Sequence, residues 1–141
     1  LFPKKNAPEY LHYGTLEEVL SKSDIVTLHC PLTEDSRNLI NQDRIAQMKK
    51  GAILINAARG PIVDSKALAD ALNSGYLRGA GVDVFEMEPP LPMDHPLLHS
   101  INTIVTPHIA FASDESMEIR AKIVFENIQK WMNKEQVNTI L

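Results

Sequence analysis

The chain has 141 residues, of which 44% are hydrophobic and 23% are charged, so it is long enough for one domain with a buried core and is not a disordered or collagen-like protein. Acidic residues outnumber basic ones by 18 to 14, for a net charge of −4, and we expect no nucleic-acid partner. No apolar run approaches the ~20 residues of a membrane span, and the single cysteine excludes an internal disulfide. These features predict a soluble, cytoplasmic domain.

The first half of the chain predicts two helices and two strands. Thr15 and Glu18 form a capping-box pattern at the start of a short helix. Asn41 is placed to cap a second helix that runs to Met48, and Gly51 follows at its carboxyl end. Two short apolar runs predict buried strands, over residues 25–30 and 52–57.

The second half of the chain predicts two further helices and two further strands. Asp64 is placed to cap a helix over residues 65–74, and Ser113 caps a long last helix. The region 86–102 holds four of the nine prolines and predicts an irregular crossover. Strands are predicted over residues 79–85 and 103–106. Apolar residues of the last helix recur at spacings of three and four, so we expect them to pack along one stripe: Met117, Ala121, Val124, Phe125, Ile128 and Trp131.

Strands and helices that alternate in this way predict an α/β fold, with a parallel sheet that helices cover on both faces. Ligands of such sheets bind at the carboxyl ends of the strands. Every predicted strand ends in residues that could do chemistry or approach a ligand closely: His29, Cys30 and Pro31; Ala57, Ala58 and Arg59; Asp83 to Glu88; Pro107 and His108.

Two of these strand-end residues are charged and directly follow apolar runs. Arg59 could hold a carboxylate through two parallel hydrogen bonds, or it could form a surface ion pair. Asp83 continues an apolar strand, where a carboxylate needs a hydrogen-bonding partner. A ligand contact is favoured there, because Pro89 and Pro90 come too soon for a helix that Asp83 could cap.

Glu88 and His108, each taken singly, are typical of a solvated loop residue and a structural histidine. If both lie at the carboxyl edge of the sheet, Glu88 could orient His108 and stabilise its protonated form, and the two would act as an acid–base pair. Cys30 has no helix N-terminus to favour its thiolate, so packing near a ligand is favoured over nucleophilic catalysis. The histidine spacing predicts no metal site, and three histidines fit surface or loop positions: His12, His95 and His99.

Four segments of the chain together resemble the D-isomer-specific 2-hydroxyacid dehydrogenases, and they occur in the order and at the spacing of that family. They are SDIVTLHCPLT from Ser23, NAARGPIVD from Asn56, GVDVFEMEPP from Gly81 and TPHIAFAS from Thr106. The resemblance implies a partial Rossmann-type, doubly wound parallel sheet. It also implies NAD(P)-dependent hydride transfer between a nicotinamide and a small 2-oxo or 2-hydroxy acid.

The family's catalytic set of Arg, Glu and His has a match at each position. The resemblance implies that Arg59 binds the substrate carboxylate and polarises the keto oxygen. His108 would exchange a proton with that oxygen, and Glu88 would keep His108 oriented and charged. Arg59 and His108 would thereby also lie against the cofactor.

The same resemblance implies a set of cofactor contacts. Asp83 would meet the nicotinamide carboxamide, and Ala110 would leave room beside the ring. NAD is the implied cofactor, and NADP stays open because the acidic residue that contacts the adenosine ribose is not among these residues. The adenosine side would be lined by His29, Cys30 and Pro31, and the nicotinamide ribose by Ala57 and Ala58.

The substrate and the assembly follow from the resemblance only in part. The run EPPLP before DHPLL is similar to the hydroxypyruvate (glycerate) reductase branch, and phosphoglycerate, lactate and other 2-oxoacid substrates stay open. Family enzymes usually dimerise through this domain, so a homodimer is expected.

The chain departs from the family because it contains neither the substrate domain nor a G-x-G-x-x-G segment, and it lacks an initiator Met. We therefore expect residues 1–141 to be an incomplete dinucleotide-binding domain, a fragment that binds cofactor weakly and does not turn over by itself. Two alternatives stay open. One is a dinucleotide-sensing, corepressor-like binding protein that keeps the same three side chains, and the other is an inactive truncated remnant.

Overall fold

The computed structural model describes residues 10–87, 90–135 and 137–139. The chain divides between Pro107 and His108 into two compact units, which we call the sheet unit and the helical unit. Glu88, one of the predicted site residues, lies outside the described residues.

Four parallel strands form the sheet unit, and they lie side by side in chain order. The prediction of an α/β fold with a parallel sheet is therefore confirmed. Each strand ends earlier than the apolar run that predicted it, because the last residues of the run turn at the carboxyl edge of the sheet. The strands are β1 (Ile25–Leu28), β2 (Ile53–Asn56), β3 (Gly79–Val82) and β4 (Thr103–Val105).

Three helices connect or precede the strands: α1 (Leu16–Lys22), α2 (Gln42–Gln47) and α3 (Ser65–Asn73). The predicted caps are confirmed, since the side chains of Thr15, Asn41 and Asp64 each accept a hydrogen bond from a backbone N–H of the first helical turn. Two short 3-10 turns, Gly60–Ile62 and Pro96–Leu98, complete the connections. The second of these turns lies inside the predicted irregular crossover.

The core lies on one face of the sheet. Leu54 of β2 and Ala80 of β3 are buried there with Leu20, Ile45 and Leu68 from the three helices. Burying these apolar side chains stabilises the unit by about 1.5–3 kcal/mol for each fully buried large one.

Within the sheet unit, the three helices cover one face of the sheet. On the opposite face the register aligns Thr27, Ile55, Gly81 and Ile104, and the side chain of Ile104 is 73% exposed. The reason is topological. Because the strands follow one another in chain order and parallel crossovers are right-handed, every connecting helix is placed on the same face.

The helical unit contains α4 (Asp114–Met132), which Ser113 caps as predicted by accepting a hydrogen bond from the backbone N–H of Ser116. The apolar stripe forms, and no described residue of α4 is buried within this unit; the packing expected along the stripe stays a prediction. A single helix supplies no second layer of its own. None of the helices in the described part of the chain is long and apolar enough to cross a membrane.

Candidate active site at the carboxyl ends of the strands

The turn after β2 is built by the side chain of Asn56, which is 2% exposed. Its Nδ2 donates to the carbonyl oxygen of Arg59 at 3.0 Å, and its Oδ1 accepts from the backbone N–H of Ala58 at 3.1 Å. The side chain of Arg59 is exposed, and its Nη1 donates to the carbonyl oxygen of Ala58 at 2.6 Å. Asn56 therefore closes a tight turn that presents a guanidinium group at the edge of the sheet.

The residue after β3, Asp83, is 5% exposed and ties three strand ends together. Its backbone N–H donates to the carbonyl oxygen of Asn56 at 3.0 Å. Its Oδ1 accepts a hydrogen bond from the hydroxyl of Thr106, the residue after β4, at 2.5 Å. The requirement that a buried carboxylate have a hydrogen-bonding partner is thus met inside the protein.

Gly60 brings the turn after β2 against the segment after β3. A Cβ atom placed on Gly60 would lie 1.9 Å from both the carbonyl carbon and the carbonyl oxygen of Phe85. No side chain can occupy that space, because the neighbouring atoms belong to the backbone. This close approach of two backbones restricts the position of Phe85.

His95 holds the same segment from the other side. Its ring is T-shaped against Phe85, with centroids 5.3 Å apart. Nδ1 accepts from the backbone N–H of Leu97 at 3.3 Å, and Nε2 lies 3.2 Å from Oε2 of Glu86. His95 lies in a loop, as predicted, but its side chain is only 9% exposed. Sequence alone offers no signal that pairs it with Glu86.

The carboxylate of Glu86 lies beside the imidazole of His95. Partial burial would raise the pKa of Glu86, but hydrogen bonds from the Ser65 side chain, from a backbone N–H and from His95 outweigh it and lower the pKa below its ordinary value. Through His95, Glu86 therefore ties the 3-10 turn at Pro96–Leu98 to the segment after β3.

The end of β1 borders an apolar pocket of about 570 Å³. His29 is exposed there and hydrogen-bonds the hydroxyl of Thr27 at 2.9 Å, while Cys30 is half-buried with a free thiol. The remaining wall of the pocket is mostly aliphatic. It is lined by Leu16, Val19, Val26, Leu28, Pro31 and Ile40.

The helical unit carries His108 at its start. The residue has a positive φ of 59°, a conformation that is uncommon outside glycine. Its half-buried ring packs T-shaped against Phe111, with centroids 6.4 Å apart, and the guanidinium of Arg120 lies 5.0 Å from the centroid of the Phe111 ring. Ala110, which lies between His108 and Phe111 in the chain, is exposed.

The structure thus gathers the predicted residues of the sheet unit at one edge, the carboxyl ends of β1, β2 and β3. They are His29, Cys30, Pro31, Ala57, Ala58, Arg59 and Asp83. His108 and Ala110 belong to the helical unit. Among the described residues, no group of three His, Cys, Asp or Glu side chains could hold a metal ion.

Relatives of known activity resemble this chain over most of its length. A glyoxylate reductase of Thermofilum pendens is 47% identical over 118 residues, which cover 84% of this chain and 34% of the relative. A hydroxypyruvate reductase of Blautia hydrogenotrophica is 41% identical over 132 residues, which cover 94% of this chain and 41% of the relative. The chain therefore spans about two fifths or less of these relatives.

A solved structure shares the fold. The crystal structure of D-lactate dehydrogenase with NAD⁺ from Lactobacillus jensenii superposes with a TM-score of 0.84 at 34% identity, and the match covers 94% of this chain and 43% of that one. Residues 2–110 match the model of the family described as "D-isomer specific 2-hydroxyacid dehydrogenase, NAD binding domain". That match covers more than half of the chain, and with the shared fold it establishes that the chain belongs to the D-isomer-specific 2-hydroxyacid dehydrogenase family.

Proposed function

We propose that residues 1–141 are part of the dinucleotide-binding domain of an NAD(P)-dependent enzyme that interconverts small 2-oxo acids and D-2-hydroxy acids. The observation that carries the proposal is the presence of an arginine and an aspartate after neighbouring strands at the same edge of the sheet. A turn closed by Asn56 presents the exposed guanidinium of Arg59, and the next strand ends in the buried carboxylate of Asp83. An anionic substrate and a polar, uncharged amide suit these two groups.

The residues present fit the nicotinamide end of a dinucleotide by their donor chemistry. A carboxylate accepts about four hydrogen bonds, so Asp83 can bind the Thr106 hydroxyl and a carboxamide N–H₂ together. Ala57 and Ala58 are small enough to allow a ribose close to the backbone. The bound cofactor would supply the hydride, and Asp83 would hold its amide in one orientation.

The pocket at the end of β1 suits the adenosine end. Its mostly aliphatic walls and its volume of about 570 Å³ match a flat base more closely than a charged group. His29, Cys30 and Pro31 would contact the adenosine there. The sequence contains no G-x-G-x-x-G segment for the pyrophosphate, so we propose that these residues alone bind NADH weakly and do not turn over.

Three side chains would act on the substrate. The planar guanidinium of Arg59 would bind the substrate carboxylate through two hydrogen bonds and polarise the keto oxygen. His108 would donate a proton to that oxygen during reduction and accept it during oxidation. Glu88 would orient the imidazole of His108 and favour its protonated form, and Ala110 would leave room beside the nicotinamide.

The substrate is proposed to be a short 2-oxo acid such as hydroxypyruvate or glyoxylate. Support comes from the EPPLP and DHPLL runs and from the names of the two relatives described above. We further propose a cytoplasmic homodimer. The free thiol of Cys30 is compatible with a reducing compartment.

The test uses the product of the complete reading frame that encodes these residues, assayed with NADH and NADPH against hydroxypyruvate, glyoxylate and pyruvate. Arg59→Ala should lower kcat/KM by about 10²–10³-fold, the size of effect seen when one preorganised donor is lost. Added guanidinium should restore part of the rate. Arg59→Lys should stay well below the parent, because an ammonium lacks the two-pronged geometry.

The matched control is Arg78→Ala, which removes an arginine at the opposite end of the sheet, where β3 begins. It should leave kcat/KM unchanged. The proposed activity is wrong if no 2-oxo acid is reduced with either cofactor, and the role of Arg59 is wrong if Arg59→Ala behaves like Arg78→Ala.

A further inference from the structure

Three hydrogen bonds after β2 link Asn56, Ala58 and Arg59 in a cycle. Oδ1 of Asn56 accepts from the backbone N–H of Ala58 at 3.1 Å, and the carbonyl oxygen of Ala58 accepts from Nη1 of Arg59 at 2.6 Å. The carbonyl oxygen of Arg59 accepts from Nδ2 of Asn56 at 3.0 Å. The side-chain amide of Asn56 therefore holds, on both sides, the backbone to which the guanidinium is bonded.

The position of Asn56 requires a carboxamide. One short side chain must supply an acceptor to Ala58 and a donor to Arg59, and an ionised aspartate supplies acceptors only. The residue ends β2 and is 2% exposed, so water competes little for either bond. Its own carbonyl oxygen accepts from the backbone N–H of Asp83 at 3.0 Å, which fixes the point from which the side chain extends.

The same cycle determines which edge of the guanidinium is turned outward. Arginine presents five N–H donors in a rigid plane, and the carbonyl oxygen of Ala58 takes one of the two at Nη1. The opposite edge carries the N–H of Nε and the nearer N–H of Nη2, which are parallel and match the two oxygens of a carboxylate. The side chain of Arg59 is exposed, so that edge is accessible to a ligand.

We propose that Asn56 is a positioning residue, which fixes the turn after β2 so that Arg59 presents its Nε–Nη2 edge to the substrate carboxylate. The inference rests on the proposed function, from which it takes the role of Arg59. Asn56 is buried and acts through Ala58 and Arg59 rather than on the substrate. A guanidinium that is already held on its turn loses less conformational freedom when the substrate binds.

The test compares two substrates in the product of the complete reading frame. One is the 2-oxo acid that is reduced fastest in the assay described above, and the other is the neutral amide of the same acid. Asn56→Ala should lower kcat/KM for the acid by about ten- to fiftyfold, within the scale of a misplaced binding group, and for the amide by less than twofold. A loss of folded protein or of cofactor binding would lower both values by the same factor.

Combining the substitution with Arg59→Ala shows whether Asn56 acts through the arginine. Once the guanidinium is absent, Asn56→Ala should change kcat/KM for the acid by less than a further twofold, because residues that act as a unit are not additive. If Arg59→Ala alone leaves kcat/KM for the acid unchanged, the proposed role of Arg59 fails, and the inference about Asn56 fails with it.

Other results would contradict the inference alone. If Arg59→Ala lowers kcat/KM for the acid but Asn56→Ala affects acid and amide equally, or affects neither, positioning by Asn56 is wrong while the proposed function stands. The same holds if the effects of the two substitutions multiply. The matched control is Asn73→Ala, which removes an exposed asparagine whose Oδ1 accepts from the backbone N–H of Ile101 at 3.1 Å. It should leave the ratio of the two kcat/KM values unchanged.

A measurement on the parent protein keeps the inference testable if Asn56→Ala does not fold. Nitrogen-15 NMR relaxation of the arginine side chains should give Arg59 Nε–H an order parameter near the ~0.85 of rigid groups. Arg78, an exposed arginine at the opposite end of the sheet, should lie below the ~0.6 that marks flexible groups. An Arg59 side chain as mobile as that of Arg78 would overturn the proposal.

Discussion

The turns that follow β2 and β3 are neighbours at the same edge of the sheet, but they are held in different ways. The turn after β2 is closed within four residues, by the two hydrogen bonds of Asn56 to Ala58 and Arg59. The segment after β3 depends on residues outside its own turn, at least nine positions away in the chain: Gly60, His95 and Thr106.

This difference shows that the candidate site is built both from a turn held by local hydrogen bonds and from a segment held by contacts with residues further away in the sequence. A local turn forms wherever its own residues are present, because its hydrogen bonds join near neighbours. A segment held by distant partners is ordered only when the whole unit is folded, since the entropy of closing long loops must be overcome first. The local turn presents Arg59, and the long-range one carries Asp83 and leads to Glu88.

The largest expected effect comes from breaking the long-range segment at Gly60. In Gly60→Ala the new methyl group would lie 1.9 Å from the backbone of Phe85, and neither backbone can move without disrupting its strand end. We expect a loss of about 3 kcal/mol in the free energy of unfolding, at the upper end of overpacking effects. Urea denaturation measures it.

The control for this prediction is Gly81→Ala in β3. There the nearest side-chain atoms of Ile55 would be 3.9 Å from the new methyl group, an ordinary contact. Its stability should stay within about 0.5 kcal/mol of the parent. Equal losses in the two variants would contradict the assignment of the Gly60 effect to the Phe85 backbone.

The contrast between local and long-range contacts also explains which features could be predicted from the sequence. Caps such as Thr15, Asn41 and Asp64 are local, and the structure confirms them. All four strands were predictable from apolar runs, and the site edge follows from the rule that ligands bind at the carboxyl ends of parallel strands. The approach of Gly60 to Phe85 and the pairing of His95 with Glu86 were not predictable, because each joins residues at sequence distances that no local pattern encodes.

The helix and sheet surfaces show a second limit of prediction. Periodicity identifies the apolar stripe of α4 and the apolar faces of the strands, but not what covers them. Ile104 and Trp131 are both exposed in the structure. The direction in which strands are added decides which face the helices cover, and the apolar composition of a strand does not contain that information. The roles of Arg59 and Asp83 in binding come from the family resemblance and stay predictions.

The second largest loss of stability is expected when the turn after β2 is broken. Asn56→Ala removes both hydrogen bonds and leaves the buried N–H of Ala58 without its acceptor, so we expect a loss of about 2 kcal/mol in stability. Amide hydrogen exchange should accelerate most at Ala58. Asn73→Ala, which removes one hydrogen bond to the backbone of Ile101 from an exposed position, should cost less than about 1 kcal/mol. Exchange that accelerates equally across the whole sheet would show that the turn is not a local unit.

A smaller loss of stability is expected when the contact between Thr106, the residue after β4, and Asp83 is removed. Thr106→Val keeps the shape of the side chain but removes the hydroxyl that donates to the Asp83 carboxylate. Loss of one hydrogen bond to a charged group should cost about 1.5 kcal/mol. Thr106→Ser retains the hydroxyl and should lie closer to the parent in the same denaturation experiment. If Thr106→Val is as stable as the parent while Thr106→Ser is destabilised, methyl packing rather than the hydrogen bond accounts for the contribution of Thr106.

The smallest effect concerns the charge of Glu86, and its sign follows from proton linkage. The pKa of Glu86 lies below its ordinary value of 4.5 in the folded protein, because hydrogen bonds from Ser65, the backbone and His95 outweigh the opposing effect of burial. The carboxylate therefore stabilises the fold fully above pH 4.5, and this contribution is lost as the pH falls through the folded value. Because the side chain is 40% exposed, solvent screening limits the contribution to about 1 kcal/mol or less.

Comparing the parent with Glu86→Gln isolates this contribution, since every other carboxylate titrates alike in both proteins and cancels from the difference. The difference in unfolding free energy should be constant between about pH 6 and 8 and should shrink below pH 4.5, where the parent also carries a neutral side chain. A difference that stays constant down to pH 3 would mean that geometry alone, and not charge, makes Glu86 a tether. The segment after β3 would then depend on the shape of its distant partners in the way that the turn after β2 depends on Asn56.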